Sequence, residues 1–188
     1  MPRIDAPMDI SPADYFANHV PQAVEATLKE RPAAEMEGIE FKVAFEVEGH
    51  GAWTVRIADG ARVALEAEDH PDAHLRFRFD ERAFRRSQLG EGRRLDVIEM
   101  IHGDRRRFDK LPSTAGTLHL ELTAEEPEPH RVSIVFAGGG PSQVTLAATL
   151  DDFCDVVERK ANPVMLFMSQ RLRARGNLGY LLKTQQIL

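Results

Sequence analysis

The sequence predicts an α+β fold, an antiparallel or mixed sheet with helices packed against it. Three observations predict it. Short segments alternate apolar and polar residues along much of the chain. Glycine-containing turns separate those segments. Helical runs with capping residues flank them at both ends.

Residues 1–10 contain Pro2 and Pro7 and read as a flexible arm, so the folded unit is expected over 11–188. Ser11-Pro12 is a helix start, a capping hydroxyl followed by proline in the first turn. The helix is expected to end near Arg31, because Pro32 discourages its continuation. Phe16, Val20, Val24 and Leu28 recur every four residues and mark one buried face.

Strands follow. Phe41, Val43, Phe45 and Val47 alternate with polar or small neighbours, as do Trp53, Val55 and Ile57, then Val63, Leu65 and Ala67, then Leu75, Phe77 and Phe79. Period two with one polar face predicts a half-buried antiparallel sheet. Gly49-His50-Gly51 and Asp59-Gly60 read as hairpin turns, and His70-Pro71-Asp72 as the next connection. Asp80 caps an expected short helix, Glu81 to about Leu89, closed by Gly90 and Gly92.

From Arg93 the pattern is harder. Leu95, Ile98, Met100 and Ile101 suit either a helix or a buried strand, and residues 93–129 read as an extra strand and helix insertion. Leu118, Leu120 and Leu122 then alternate with His119 and Glu121. Val132, Ile134 and Phe136 follow an acidic proline-rich turn at 125–129, and Gly138 to Pro141 turn the chain into Val144, Leu146 and Ala148. Two passages share a plan. Residues 73–91 and 143–160 each run strand, acidic residues, helix and turn. Duplication of one unit and chance likeness of two capped strand–helix units both remain open at this level.

Composition excludes several functions. A net charge of -6 argues against nucleic acid as a partner. The single cysteine, Cys154, permits no internal disulfide and no cysteine-based zinc cluster. The first residues, with Asp5, Asp9 and Asp14, do not read as a secretory signal, and a cytoplasmic protein is expected. His70 and His74 do not share a helix face, so no metal is expected there. Gly138-Gly139-Gly140 lacks the Lys-Ser/Thr of a phosphate loop. Ser169 lacks a nucleophile elbow. No acid–base pair stands out, so neither cofactor nor catalytic residue is expected.

The most specific stretch begins at Thr149. Asp151-Asp152 open a short helix, Asn162-Pro163 open an apolar run, and Arg171, Arg173 and Arg175 alternate with Leu172 and Ala174. Gly176-Asn177-Leu178-Gly179 then lead into a last apolar helix. This order of turn residues resembles the C-terminal part of the sterol carrier protein type 2 family of lipid-binding domains. A looser likeness covers Asp14 to Gly92, where His70-Pro71-Asp72 resembles the family's proline-aspartate before the strand entering the acidic cap. The family's glycine-lysine before the last strand is replaced by Ser169-Gln170-Arg171.

The resemblance implies an apolar cavity between the sheet and the C-terminal helices. It would hold a fatty acyl chain, an acyl thioester or a sterol-like molecule, by binding or transfer and without catalysis. The residues matching its wall are Phe153, Val156, Val157, Met165, Leu166, Phe167, Met168, Leu178, Leu181 and Leu182, and Trp53 is added from the first strands. Methionine suits a wall that adapts to its guest. A dry cavity of a few hundred Å³ would cost several kcal/mol at roughly 24 cal/mol per Å³, so a guest, water or side chains must fill it. Arg171, Arg173 and Arg175 are a candidate docking face for an anionic membrane surface. Two other readings stay open: a groove for a protein partner, homodimer included, and an enzyme acting on an acyl or steroid ligand.

Overall fold

The computed structural model describes residues 6–7, 9–30, 33–88, 98, 101–124, 128–157 and 160–187. Among the described residues eight strands form one mixed sheet: β1 (Glu40–Val47), β2 (Gly51–Ala58), β3 (Arg62–Glu66), β4 (Leu75–Phe79), β5 (Gly116–Thr123), β6 (His130–Phe136), β7 (Gln143–Thr149) and β8 (Arg173–Gly176). Their order across the sheet is β3-β2-β1-β4-β6-β5-β7-β8.

The order contains the same unit twice. β1 and β2 form an antiparallel hairpin, and β4 returns parallel to β1 with Phe45 opposite Phe77. β5 and β6 form a second hairpin, and β7 returns parallel to β5 with Leu120 opposite Leu146. A helix follows each returning strand: α2 (Glu81–Gln88) after β4 and α4 (Leu150–Val157) after β7. The two passages that look alike in sequence therefore occupy equivalent places. β6 joins the halves by pairing antiparallel with β4, in the position that β8 takes beside β7.

The helices pack on one face. The first helical run, α1, is α-helical over Pro12–Asp14, π-helical over Tyr15–His19 and α-helical again over Val20–Glu30. Ser11 caps it, its Oγ accepting from Asp14 N at 3.0 Å. Tyr15 and Phe16, both in the π turn, are buried in the core. Phe16 stacks on Phe45 at 4.9 Å and on Trp53 at 5.0 Å, and Tyr15 meets Phe84 of α2 edge-on. Phe16, Val20, Val24 and Leu28 are all buried, as their spacing predicts.

Within residues 93–116, Ile98, Ile101 and His102 are helical, and Ile98 and Ile101 are buried. Leu95 and Met100 lie outside the described residues. The run Arg105–Lys110 forms α3, a helix the charge pattern did not announce, capped by Asp104. His102 and Phe108 both pack on Phe41. The opposite face of the sheet is polar. Arg56 bridges Glu40 at 2.9 Å, Lys42 bridges Asp72 at 2.6 Å, and Arg76 donates to the His70 carbonyl at 2.9 Å, so the 67–73 connection folds over that face.

Candidate functional site

The site region is the apolar face of β5 and β7 and the short helices over it. Leu118, Leu120 and Leu122 share a face with Val144, Leu146 and Ala148 in register. Above them, α4 starts at Thr149, whose Oγ1 accepts from Asp152 N at 3.1 Å. The hydroxyl is the cap, in place of the expected aspartate pair. Asp152 instead turns inward, its side chain only 4% exposed, and its carboxylate accepts from both Arg171 Nε and a terminal guanidinium nitrogen. A buried carboxylate needs such a partner.

Helix α5 (Pro163–Met168) has Asn162 as its cap, Oδ1 accepting from Val164 N at 2.9 Å, with proline in the first turn. Arg171 N and Leu172 N both donate to the Leu166 carbonyl, which folds the chain sharply back toward β8. Gly176 ends β8 at φ +107, and a Cβ there would lie 2.6 Å from the Gln143 carbonyl oxygen, so only glycine lets β8 leave across β7. Asn177 then caps α6 (Leu178–Thr184), its Oδ1 accepting from Tyr180 N at 3.0 Å.

These helices bury the strand face, whose six apolar side chains are at most 9% exposed, but leave much of their own apolar surface uncovered. Of the expected wall residues, Leu166 is buried, while Phe153, Val156 and Leu181 are half-buried against the core. Met165, Phe167, Met168, Leu178 and Leu182 are exposed, Met168 at 74%. Val157 is the last residue of α4, and its side chain lies outside the description. All ten belong to the three helices over the second half of the sheet. Trp53 does not join them. It is buried in the first half, stacked on Phe16, because β2 sits on the far side of β1.

The three arginines divide. Arg171 precedes β8 and holds Asp152, Arg175 on β8 donates to Glu121 at 2.9 Å, and Arg173 contributes a hydrogen bond to the Gln170 carbonyl. Arg173 and Arg175 lie on the polar face of the sheet, opposite Ala147 and Thr145. Beside them an open cleft of about 1180 Å³ is bordered by Glu121, Asp151, Asp155, Gln170, Arg171 and Arg173. It is open and mixed in lining, with Ala124, Pro129, Ala147, Ala148 and Leu150 beside the charged groups, unlike the apolar enclosure the resemblance implies. Cys154 lines it. Among the described residues no group of three or more His, Cys, Asp or Glu is placed to hold a metal ion, and no helix is long and apolar enough to cross a membrane.

One residue escaped the sequence reading. Tyr180 of α6 is 2% exposed and presses its ring onto Gly116, where a Cβ would come within 2.7 Å of the ring. Its hydroxyl has no hydrogen-bond partner among the described residues, and burial pushes its pKa up to about 12. The signal was present in the pairing of a strand-opening glycine with an aromatic on the last helix, but no sequence spacing connects positions 116 and 180.

Comparison with known proteins agrees with the tail. Residues 99–188, a little under half of the chain, match the model of the SCP-2 sterol transfer family. The resemblance expected from the turn residues is thereby borne out for this segment. The match also takes in most of the stretch read as an insertion, so α3 and β5 fall within the family-like segment. None of the curated proteins compared matches the chain. Among solved structures, a sterol carrier protein 2 from Yarrowia lipolytica in its apo form is 19% identical, with a TM-score of 0.38, over 49% of this chain and 84% of its own. The sterol carrier protein domain 2 of Helicoverpa armigera is 15% identical, with a TM-score of 0.41, over 54% of this chain and 84% of its own.

Proposed function

We propose that residues 99–188, the segment matching the SCP-2 sterol transfer family, bind an apolar lipid between the β5–β7 face and helices α4, α5 and α6. The guest is a fatty acyl chain, an acyl thioester or a sterol-like molecule, and it is carried without chemical change. One observation carries this reading: ten residues expected to form a lipid wall fall on three neighbouring short helices that leave much of their apolar surface uncovered. Burying one such side chain contributes about 1.5–3 kcal/mol, so five exposed ones forgo several kcal/mol. A guest that slides beneath or between these helices recovers part of that.

The strand face supports the same reading. Leu, Val and Ala side chains line β5 and β7. They are smaller than the phenylalanines and tryptophan of β1, β2 and β4. Non-catalytic carriage fits the neighbouring cleft, where Arg171 is engaged with Asp152 and Arg175 with Glu121.

The test is displacement of a fluorescent fatty acid from the full chain, with the melting temperature followed in parallel. A bound lipid at a hundredfold excess over its Kd should add about 2.7 kcal/mol of stability. A chain that takes up no probe, gains no stability and yields no apolar molecule on solvent extraction would end the carrier reading. Turnover of an acyl thioester surviving repurification would move the reading to an enzyme.

A further inference from the structure

We infer that the Tyr180 hydroxyl is the hydrogen-bond donor that holds the head of the guest, and that this head is a neutral oxygen, an alcohol or the carbonyl of an ester or thioester. This role presupposes the carrier reading and gives the guest an orientation and a head-group chemistry. Tyr180 is 2% exposed, and its hydroxyl has no hydrogen-bond partner among the described residues. Two other buried hydroxyls of this region are satisfied locally. Thr114 donates to the Lys110 carbonyl at 3.1 Å, and Thr184 donates to the Leu181 carbonyl at 2.8 Å. A buried polar group without a partner is costly, so one kept in that state calls for a partner that arrives later.

The hydroxyl stands at one end of the strand face. Helix α6 lies against β7, β5 and the 112–114 turn, which places Tyr180 between helix and sheet. Its Cζ, the carbon that bears the hydroxyl, would lie 2.7 Å from a Cβ at Gly116, the first residue of β5. From Gly116, Leu118, Leu120 and Leu122 run along β5 for about 20 Å. Val144, Leu146 and Ala148 run beside them in register on the parallel strand β7. A guest with its oxygen at Tyr180 lays its chain along these side chains, toward α4 at the far end of β7. Helix α6 is seven residues long, with Leu178 and Leu182 exposed, so a small displacement of it opens the hydroxyl to the guest.

The phenol selects a neutral oxygen. Burial pushes its pKa up to about 12, so it stays protonated and donates at neutral pH. It brings a hydrogen bond and no positive charge, whereas a buried carboxylate needs a cation to offset its desolvation. Lys183, the basic residue of α6, is exposed in the last turn and does not supply one. An alkane in the same place would leave the hydroxyl unpaired.

The experiment displaces a fluorescent fatty-acid methyl ester from the full chain with dodecane, dodecanol and methyl dodecanoate. The same series is run on Tyr180→Phe, so that differences in solubility between competitors cancel in the ratio of the two proteins. Wild type should favour the alcohol and the ester over the alkane, relative to the variant, by about fivefold or more. The carbonyl stretch of the bound ester should lie at lower frequency in wild type than in Tyr180→Phe, a shift that a purely structural tyrosine would not produce. Dodecanoate should compete better at about pH 5 than at about pH 8, as its carboxyl takes up a proton, while dodecanol should not change. Equal ratios in the two proteins, or dodecanoate competing equally at both pH values, overturns the inference. So does a Tyr180→Phe chain that melts lower than wild type without lipid, since the hydroxyl is then already satisfied. A chain that takes up neither this ester nor the fluorescent fatty acid loses the carrier reading, and the role of Tyr180 falls with it.

Discussion

The two halves of the sheet follow one plan and end in different states. In the first, a hairpin and a returning strand present Phe41, Phe45, Trp53, Phe77 and Phe79 to the core, where the long run α1 meets Phe45 and Trp53 and the 102–108 stretch meets Phe41, and every one of these is at most 7% exposed. In the second, the same arrangement presents Leu118, Leu120, Leu122, Val144, Leu146 and Ala148, each at most 9% exposed, to helices of six to eight residues whose outer faces stay apolar and uncovered. The first half is sealed by large rings, with the long run α1 and further rings from Phe84, His102 and Phe108 over them. The second is roofed by short pieces that each bury one or two side chains. Side-chain volume and helix length, rather than topology, decide which copy of the unit becomes core and which keeps an open apolar surface.

The largest expected effect breaks the sealed half. Phe16→Ala removes a ring stacked on Phe45 and Trp53 and leaves a hole that the neighbouring rings cannot fill. Urea unfolding should show a loss of about 3–5 kcal/mol. Phe167→Ala on α5 removes a ring that is already 49% exposed, and should change stability by no more than about 1 kcal/mol while weakening lipid uptake. Comparable losses at the two positions would mean that the second half is as tightly closed as the first.

A middle-sized effect comes from pH, through two histidines of the sealed half. Burial holds the pKa of His102 below its usual 6.5, and burial together with nearby Lys42 does the same for His74. His74 Nδ1 accepts from Lys42 N at 3.1 Å, and His102 stacks on Phe41, so both are held neutral in the fold. The unfolded chain takes up protons near pH 6.5 and the folded chain does so only at lower pH. Stability is therefore complete above about pH 6.5 and falls as the solution is acidified below it. A melting curve that is flat from pH 7 to 5, or one that His102→Phe leaves just as steep, would contradict this assignment.

Legibility in the sequence follows the same division. Strand faces, hairpin turns and the buried positions of α1 were readable because period two and period four are local. The caps Asn162 and Asn177 were readable for the same reason, each lying within three residues of the N–H it accepts from. The cap of α4 was misplaced onto Asp151 and Asp152, because Asp152 is claimed by Arg171, nineteen positions away. Trp53 was placed with the wall because strand order is not local: β2 and β7 lie five strands apart in the sheet. Residues 93–129 read as an addition because their apolar residues serve two neighbours at once. Ile98 and Ile101 join the core, while β5 lies between β6 and β7. The sharing of one plan by both halves was visible only as a faint likeness of two strand–helix passages, and the parallel return of β4 and β7 is what makes it geometric.

The smallest effect sharpens the comparison from inside the open half. Tyr180 fills the space above Gly116 with its ring, yet its buried hydroxyl has no partner among the described residues. A polar group left in that state costs about 1–3 kcal/mol, part of which its removal returns. Tyr180→Phe keeps the ring and deletes the oxygen, so the variant should be more stable by up to about 1 kcal/mol, a rise of roughly 2–4 °C in melting temperature. The sealed half offers no equivalent gain at Phe16 or Phe45, which carry no polar atom to relieve. A hydroxyl that lowers stability where a phenyl ring would serve is an expected property of a surface shaped for something other than closure. If Tyr180→Phe instead melts lower than wild type, the hydroxyl is satisfied in solution, and the second half is better closed around α6 than its exposed leucines indicate.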